Sequence, residues 1–292
     1  MIYSLQSLFN TALFTSTILF TSIILFTSAS LPLTILAAPT SHSLNTRNNG
    51  ATTAFTDPVT NISFQRFFGA KSGFAFGIAL PQNPNDSFIG QMSFPLASGA
   101  AGWGGWSLTS DMKGPLLMAA WASPDGQVLS SFRQAANEDD NPPEVTGKFA
   151  ARPIAAGTSV NGTFLTYTFL CQGCLDASFG LGAADTAGAF EMGWALGDKA
   201  VGNPGSPAAV LNFHNVGFGG FDADLKAARF ADFDTWAALA SPTPLAPSAG
   251  ATAFAPGKGG GDDDDDDDDD DDKKGGDKKS GGDANDSDDD DD

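Results

Sequence analysis

The feature that most restricts the fold is a set of short runs in which large apolar residues alternate with small or polar ones. The clearest runs cover residues 74–80, 88–94 and 165–169, and clusters of Gly, Pro and Asn such as residues 81–86 separate them. A two-residue period is typical of strands with one buried face. Helical periodicity is visible only weakly, over residues 222–239. The pattern therefore predicts an all-β fold, either an antiparallel sandwich or a barrel.

The two ends of the chain differ from this β-rich part in composition. Residues 1–38 contain no charged side chain, and their long apolar stretch ends in small residues. Such a leader is typical of a secretory signal peptide, so we interpret 1–38 as a signal and 39–52 as a leader linker. We expect no membrane span after cleavage. An uncleaved signal anchor is the alternative, because no Lys or Arg precedes the apolar stretch.

The C-terminal composition changes first to Pro, Ala and Gly and then to Asp. Residues 241–261 predict a linker, and an unbroken aspartate run over 262–272 opens a segment that extends to residue 292. A segment whose single apolar residue is Ala284 cannot bury a core, so residues 262–292 are predicted to form a disordered acidic tail. The formal net charge of the chain is −20. Since nucleic-acid binding needs a basic surface, this charge argues against a nucleic-acid partner.

The only two cysteines, Cys171 and Cys174, lie close together in the sequence. In an oxidising compartment we expect them to form a short-loop disulfide. A zinc site would need two more good ligands. Covalent c-type haem attachment would need a histidine at the position of Leu175, and a thioredoxin-like motif would need a βαβ unit.

Three glycosylation sequons in the β-rich part agree with export of the chain. They begin at Asn61, Asn85 and Asn161, and each lies in a loop-like or strand-edge setting. Because Asn-X-Ser/Thr is modified in secreted proteins, the sequons and the leader together predict a secreted, extracellular glycoprotein.

His214 is the only histidine in the β-rich part, and apolar residues and glycines surround it. Imidazole is the commonest metal ligand, and neighbouring glycines allow a bulky group to approach the backbone. No acid–base partner lies nearby in the sequence. The surroundings suit a planar metal-containing cofactor, although a half-buried structural histidine would also explain them.

Met112 is the candidate for a second ligand. It follows a turn-rich loop, whereas Met118 and Met192 lie within apolar runs and are expected in the core. Pairing of a thioether with an imidazole is a known haem ligation, and the thioether raises the reduction potential.

Five motifs in order along the chain resemble those of the fungal extracellular b-type cytochrome domain, known as the haem domain of cellobiose dehydrogenase and related to the DOMON group. They are Trp103-x-Gly105 with Met112, Leu116-Leu117 with Ala120-Trp121, Phe169-x-Cys171-Gln172-Gly173-Cys174, Trp194-Ala195, and His214 with Phe218-Gly219. The resemblance implies an immunoglobulin-like β-sandwich over residues 53–240 that binds haem b without a covalent bond. It further implies Met112 and His214 as iron ligands and Trp103 and Phe218 as cofactor-binding residues.

The chain departs from this family in two places. The family has a Tyr after its Ser-x-Arg strand, near a haem propionate, whereas residues 134–140 contain three carboxylates and no Tyr. Carboxylates at this place are expected to lower the reduction potential. Asp111 and Lys113 flank Met112, where the family tends to have glycine and small polar residues.

Two protein ligands would leave iron no open position, so the resemblance implies outer-sphere, one-electron transfer, without a hydrolytic site. No Gly-x-Gly-x-x-Gly motif opens a βαβ unit, so we expect an external flavin dehydrogenase or another electron donor. The expected acceptors are a copper polysaccharide monooxygenase, a quinone or ferric iron, the last of which would make the protein a ferric reductase.

Two other functions compete with the cytochrome. One is a haem-free DOMON-like module that binds carbohydrate or another ligand through Trp103, Trp106 and Trp121. The other is a cation-binding acidic surface protein, which explains the aspartates but not the Met–His pair.

Overall fold

The structure is a computed structural model that describes residues 50–257. The predicted signal peptide 1–38, nearly all of the leader linker and the aspartate-rich tail 262–292 lie outside the described residues. Within the described range, no helix is long and apolar enough to cross a membrane.

The described residues form fifteen strands, one short α-helix and four 3₁₀ helices. The strands are β1 (Thr53–Thr56), β2 (Ser63–Phe68), β3 (Ala75–Pro81), β4 (Phe88–Pro95), β5 (Trp103–Ser107), β6 (Leu117–Ala122), β7 (Val128–Arg133), β8 (Val145–Thr146), β9 (Ala150–Pro153), β10 (Ser159–Val160), β11 (Phe164–Gln172), β12 (Ala189–Gly197), β13 (Gly217–Asp224), β14 (Arg229–Phe230) and β15 (Thr252–Ala253). The helix α1 covers Phe233–Ala237, and the 3₁₀ helices cover Ser98–Ala100, Ala155–Gly157, Ala177–Phe179 and Ala183–Ala187.

Two sheets form a sandwich. The larger one has the strand order β1-β2-β3-β4-β11-β10, with β9 also paired to β11 and β14 running parallel to β3. The smaller one has the order β13-β12-β5-β6-β7, and all of its pairs are antiparallel. The predicted all-β sandwich is therefore confirmed. The weak helical pattern over 222–239 corresponds to strand ends and the five-residue helix α1.

The main core lies between the two sheets and is rich in aromatic rings. The ring of Trp106 on β5 lies 5.5 Å from that of Phe76 and 5.6 Å from that of Phe88, measured between centroids. It also stacks on Phe169 of β11 at 6.2 Å. Because complete burial of one such side chain stabilises a fold by about 1.5–3 kcal/mol, the alternating pattern fixes which face of each strand points inward.

The outer face of the larger sheet is covered at one end by α1. Phe233 of the helix is buried in a second cluster with Phe64, Ile89 and Leu170. Residues of both faces of β3 are therefore buried, because the main core covers one face and this cluster covers the other.

The predicted disulfide between Cys171 and Cys174 is confirmed, and it closes the turn that follows β11. Gly173 within this turn has φ of +68°. A Cβ atom there would lie 2.3 Å from the carbonyl oxygen of Lys148. The turn therefore needs glycine for both its backbone conformation and its close approach to the neighbouring chain.

The segment after α1, for which composition predicts a linker, lies against the sandwich over its described residues 241–257. We call these residues the C-terminal strap. Its strand β15 pairs in parallel with β8, and the Leu245 amide donates to the carbonyl oxygen of Ala151 at 3.0 Å. The ring of Phe254 lies 5.0 Å from that of Phe179. The strap is thus part of the folded surface.

Candidate functional site

The outer face of the five-stranded sheet is the floor of a groove of about 1420 Å³. The register places Gly105 of β5 between Ala119 of β6 and Ala195 of β12. Gly193 and Gly220 pair with each other in the neighbouring row, two residues away along β12. Because none of these five residues has a side chain beyond Cβ, a planar group can lie close to the backbone.

The loop that carries Met112, residues 108–116, joins β5 to β6 and passes close above the groove floor. A Cβ atom on Gly193 would lie 2.7 Å from the carbonyl oxygen of Thr109 in this loop. Short bonds shape the loop: the Ser107 hydroxyl donates to the Asp111 carbonyl at 3.1 Å, and the Lys113 amide donates to the Asp111 carboxylate at 2.9 Å. Met112 is half-buried and lines the groove.

The segment that carries His214, residues 198–216, joins β12 to β13 on another side of the groove. The Trp103 indole N–H donates to the Asn212 carbonyl oxygen at 3.0 Å. Beyond the histidine, the Asn215 side-chain amide donates to the Asp198 carboxylate at 2.7 Å. The Trp103 bond attaches the segment to the sheet just before His214, and the Asn215 bond joins the two ends of the segment to each other.

The His214 ring is held by other rings rather than by a hydrogen bond at Nδ1. Its centroid lies 4.3 Å from each of the Phe213 and Phe218 rings, and Trp103 approaches edge-on at 6.5 Å. The Nδ1 atom is buried and has no partner within the described range. Burial lowers the pKa of His214, although the Glu138 carboxylate acts in the opposite direction. The neutral imidazole, the form that binds metals, is thereby favoured.

All four predicted cofactor-binding residues, Met112, His214, Trp103 and Phe218, line the same groove. Structural histidines usually have their buried nitrogen atoms satisfied, and His214 lacks this feature at Nδ1. A thioether, an imidazole and a flat floor of small residues fit a haem, whose iron accepts these two donors.

Arg133, at the end of β7, is a buried cation in the groove wall that sequence reasoning did not identify as functional. Its acceptors are Pro142 O (3.0 Å), Pro207 O (2.7 Å), Ala209 O (2.9 Å) and Ser131 Oγ (2.8 Å). Burial lowers its pKa to about 10, and the nearby Glu144 opposes this change. Arg133 thus joins the acidic loop 137–142 to the segment 198–216, and only the Ser-x-Arg spacing at the strand end could have marked it.

The rim of the groove is acidic. Glu138, Asp139 and Asp140 line one side, and Asp111 lies beside Met112. The basic side chains that line the groove in the described part of the chain are Lys71 and Arg133, and the latter is already bound to backbone carbonyls. The rim therefore favours positively charged molecules over anions.

The three tryptophans of the alternative binding module do not form an exposed platform. Trp103, Trp106 and Trp121 are 6%, 2% and 0% exposed. The indole N–H of Trp121 is engaged by the Pro204 carbonyl at 2.9 Å. Since sugar stacking needs an accessible ring face, this arrangement argues against a carbohydrate site built on these residues.

The three sequon asparagines of the β-rich part, Asn61, Asn85 and Asn161, are exposed. They lie in the β1–β2, β3–β4 and β10–β11 connections. Their glycosylation stays a prediction that agrees with this exposure.

The sequence and the fold match known proteins. A family model described as the cytochrome domain of cellobiose dehydrogenase matches residues 55–235. The solved cytochrome domain of Myriococcum thermophilum cellobiose dehydrogenase is 28% identical with a TM-score of 0.59, and the match covers 68% of this chain and 100% of that one. The cytochrome b domain of pyranose dehydrogenase from Coprinopsis cinerea shares the fold, with 24% identity, a TM-score of 0.58 and the same coverage.

A curated relative is the pyrroloquinoline quinone-dependent pyranose dehydrogenase of Coprinopsis cinerea, which is 28% identical over 151 residues. This match covers 50% of the present chain but only 20% of the relative. The chain thus spans a fifth of the length of this enzyme. Because the family model covers more than half of the chain, the resemblance seen in the motifs is confirmed, and the chain belongs to the family of cytochrome domains of cellobiose dehydrogenase.

Proposed function

We propose that this protein is a secreted electron-transfer cytochrome that binds haem b non-covalently, with Met112 and His214 as the iron ligands. The observation that carries the proposal is the groove: His214, whose buried Nδ1 has no partner in the described range, faces it together with Met112 above a floor of small residues. Bound haem would supply an iron that gains and loses one electron.

The residues around the two ligands support outer-sphere transfer. With His214 and Met112 both bound, neither oxygen nor an organic substrate has a position at the iron. The rings of Phe213 and Phe218 are 67% and 63% exposed and lie against the imidazole. They shield the histidine from water and leave an apolar rim through which an electron partner can approach.

The cysteines support non-covalent attachment. The sequence contains only two, and both are joined in the disulfide after β11. Neither thiol is therefore free to form a thioether bond with a haem vinyl group.

The acidic rim and the relatives suggest the partners. The named relatives are sugar-oxidising dehydrogenases, so we propose a dehydrogenase, flavin-dependent or another, as the electron donor. Glu138, Asp139 and Asp140 favour acceptors that are cationic or present a basic surface. Ferric iron and a copper polysaccharide monooxygenase with a basic face fit this charge, and a neutral quinone is neither favoured nor repelled.

The test is the absorbance spectrum of the secreted full chain produced with a supply of haem. We expect a Soret band with low-spin, six-coordinate features in both oxidation states, and acidified acetone should extract the haem completely. Met192→Leu, a change at a core methionine that is 0% exposed and does not line the groove, is the control and should leave the spectrum unchanged. Folded protein without a Soret band would refute the cytochrome and favour the haem-free binding module.

A further inference from the structure

The side chain of Gln134 joins the Met112 loop to the C-terminal strap. Its Nε2 donates to the carbonyl oxygens of Gly114 at 3.0 Å and Ala255 at 2.8 Å, and its Oε1 accepts from the Ala255 amide at 3.0 Å. Gln134 is 7% exposed. Both amide hydrogens are therefore used, and the side chain is fixed in one orientation.

Gly114 is restrained on both of its backbone groups by the end of β7. Its carbonyl oxygen accepts from Gln134, and its amide donates to the Ala135 carbonyl at 3.1 Å. Gly114 is two residues from Met112, whereas the loop's bonds on the other side, between Ser107, Asp111 and Lys113, are local. Displacement of Gly114 would therefore move Met112 directly.

The strap is fixed independently of this contact. The Thr252 amide donates to the Glu144 carbonyl at 3.1 Å, and the Phe254 amide donates to the Thr146 carbonyl at 2.9 Å. Phe254 also packs against the core edge formed with Phe179. Gln134 consequently connects the Met112 loop to the C-terminal strap, which has its own hydrogen bonds to the sandwich.

We propose that Gln134 is a positioning residue that holds Met112 toward the groove, and that the C-terminal strap contributes through Ala255. The inference rests on the proposed haem function and adds that the Gln134 side chain sets how strongly Met112 binds the iron. Loss of the Gln134 bonds would loosen the loop and weaken the thioether ligand, while His214 would stay in place because the side chains of Trp103 and Arg133 anchor its segment.

The test variant is Gln134→Met in the haem-loaded full chain, since methionine keeps the length of the side chain and loses its hydrogen bonds. Imidazole, added to the oxidised protein as a competitor for the Met112 position, should bind about tenfold more tightly, as expected from the loss of one to two hydrogen bonds. The reduction potential should fall, because the thioether raises it. If the role of Gln134 were purely structural, Gln134→Met would lower thermal stability and leave the imidazole affinity and the reduction potential unchanged.

Two further variants separate this role from general damage. Gln91→Met is the matched control, because Gln91 is 4% exposed and its amide donates to Thr168 at 3.0 Å on the larger sheet; it should lower stability without changing imidazole affinity. Ala255→Pro removes the amide that donates to Gln134 Oε1 at a position outside β15. It should raise imidazole affinity, as Gln134→Met should, and it tests the positioning role of Gln134 if Gln134→Met fails to fold.

Hydrogen exchange in the haem-free full chain makes the inference testable apart from haem binding. We expect the Gly114 amide to exchange faster in Gln134→Met and Ala255→Pro than in the wild type and Gln91→Met. Unchanged exchange and unchanged imidazole affinity in both test variants would overturn the inference. Absence of haem in the wild type would instead refute the proposed function, and the exchange rates would still show whether Gln134 holds the loop.

Discussion

The segment that carries His214 and the loop that carries Met112 line the same groove, but different kinds of bonds restrain them. The His214 segment is attached by side chains distant in sequence: Trp103 binds Asn212 and Arg133 binds the carbonyls of Pro207 and Ala209. The Met112 loop is shaped by bonds between near neighbours and has its long-range side-chain bond through Gln134. Anchors distant in sequence fix the position of a ligand before the cofactor binds. We therefore expect His214 to be preorganised and Met112 to be the adjustable side, the ligand whose position can change.

The largest expected effect is the loss of the preorganised ligand. Removal of a group that only orients a metal ligand typically lowers metal affinity by about 10- to 100-fold. Removal of a ligand itself should cost more, so we expect His214→Ala to lower haem affinity by more than ~100-fold or to leave high-spin haem. Haem titration followed by the Soret band measures this effect. Val59→Ala, a change at an exposed apolar side chain outside the groove, is the control and should retain low-spin haem. An unchanged spectrum in His214→Ala would show that His214 is not an iron ligand.

The second effect concerns the buried cation that anchors the His214 segment. Arg133→Met leaves several buried carbonyl oxygens without a donor, and each such group costs about 1–3 kcal/mol. We expect a loss of about 3 kcal/mol in the free energy of unfolding, measured by urea denaturation, together with weaker haem binding.

The matched control is Arg152→Met, because Arg152 also donates to a carbonyl, that of Ser241 at 2.6 Å, but contacts the strap instead of the His214 segment. It should lower stability by less and leave haem affinity unchanged. Equal effects of the two substitutions on haem affinity would show that Arg133 stabilises the fold in general and does not position the segment that carries His214.

The sequence predicted much of the fold and of the groove, for reasons that the structure makes clear. The alternation in residues 88–94 is visible because the large apolar side chains Phe88, Met92 and Phe94 share the face of β4 that enters the main core, although the other face is buried too. Met112 and His214 were chosen as candidate ligands because few residue types can bind haem iron, and both line the groove. Arg133 and Gln134 were missed as functional groups because their partners are backbone carbonyls from distant segments, which leave no pattern in the sequence. The strap was missed because β15 has only two residues, too few to show a period.

The third prediction addresses the adjustable side. Met112→His should keep the haem, because His214 stays anchored, but should lower the reduction potential by on the order of 100 mV, a fraction of the ~0.8 V range that axial ligands span. Spectroelectrochemical titration measures the potential. Met192→Leu is again the control, since that methionine lies in the core. A potential equal to that of the wild type would mean that Met112 is not a ligand.

The smallest expected effect comes from the charge that follows the strap. Nineteen aspartates and five lysines follow Gly257, a net charge of −14 out of −20. Ala255 is bound to Gln134, which also contacts the Met112 loop, so the chain leaves the described domain on the Met112 side. Its charge should therefore act on partners that approach this side of the groove.

Truncation after Gly257 should slow reduction of a cationic acceptor such as a ferric complex by a few-fold at low ionic strength, because attraction between opposite charges raises encounter rates. The difference should fade near 0.15 M salt, where the screening length falls to about 8 Å. A neutral quinone is the control acceptor and should be reduced at the same rate by both chains. A truncated chain that reduces both acceptors as fast as the full chain at every salt concentration would leave the aspartates a role in solubility alone. A slowing that affects the quinone equally would instead indicate damage to the Met112 loop, which the imidazole affinity of the truncated chain would reveal.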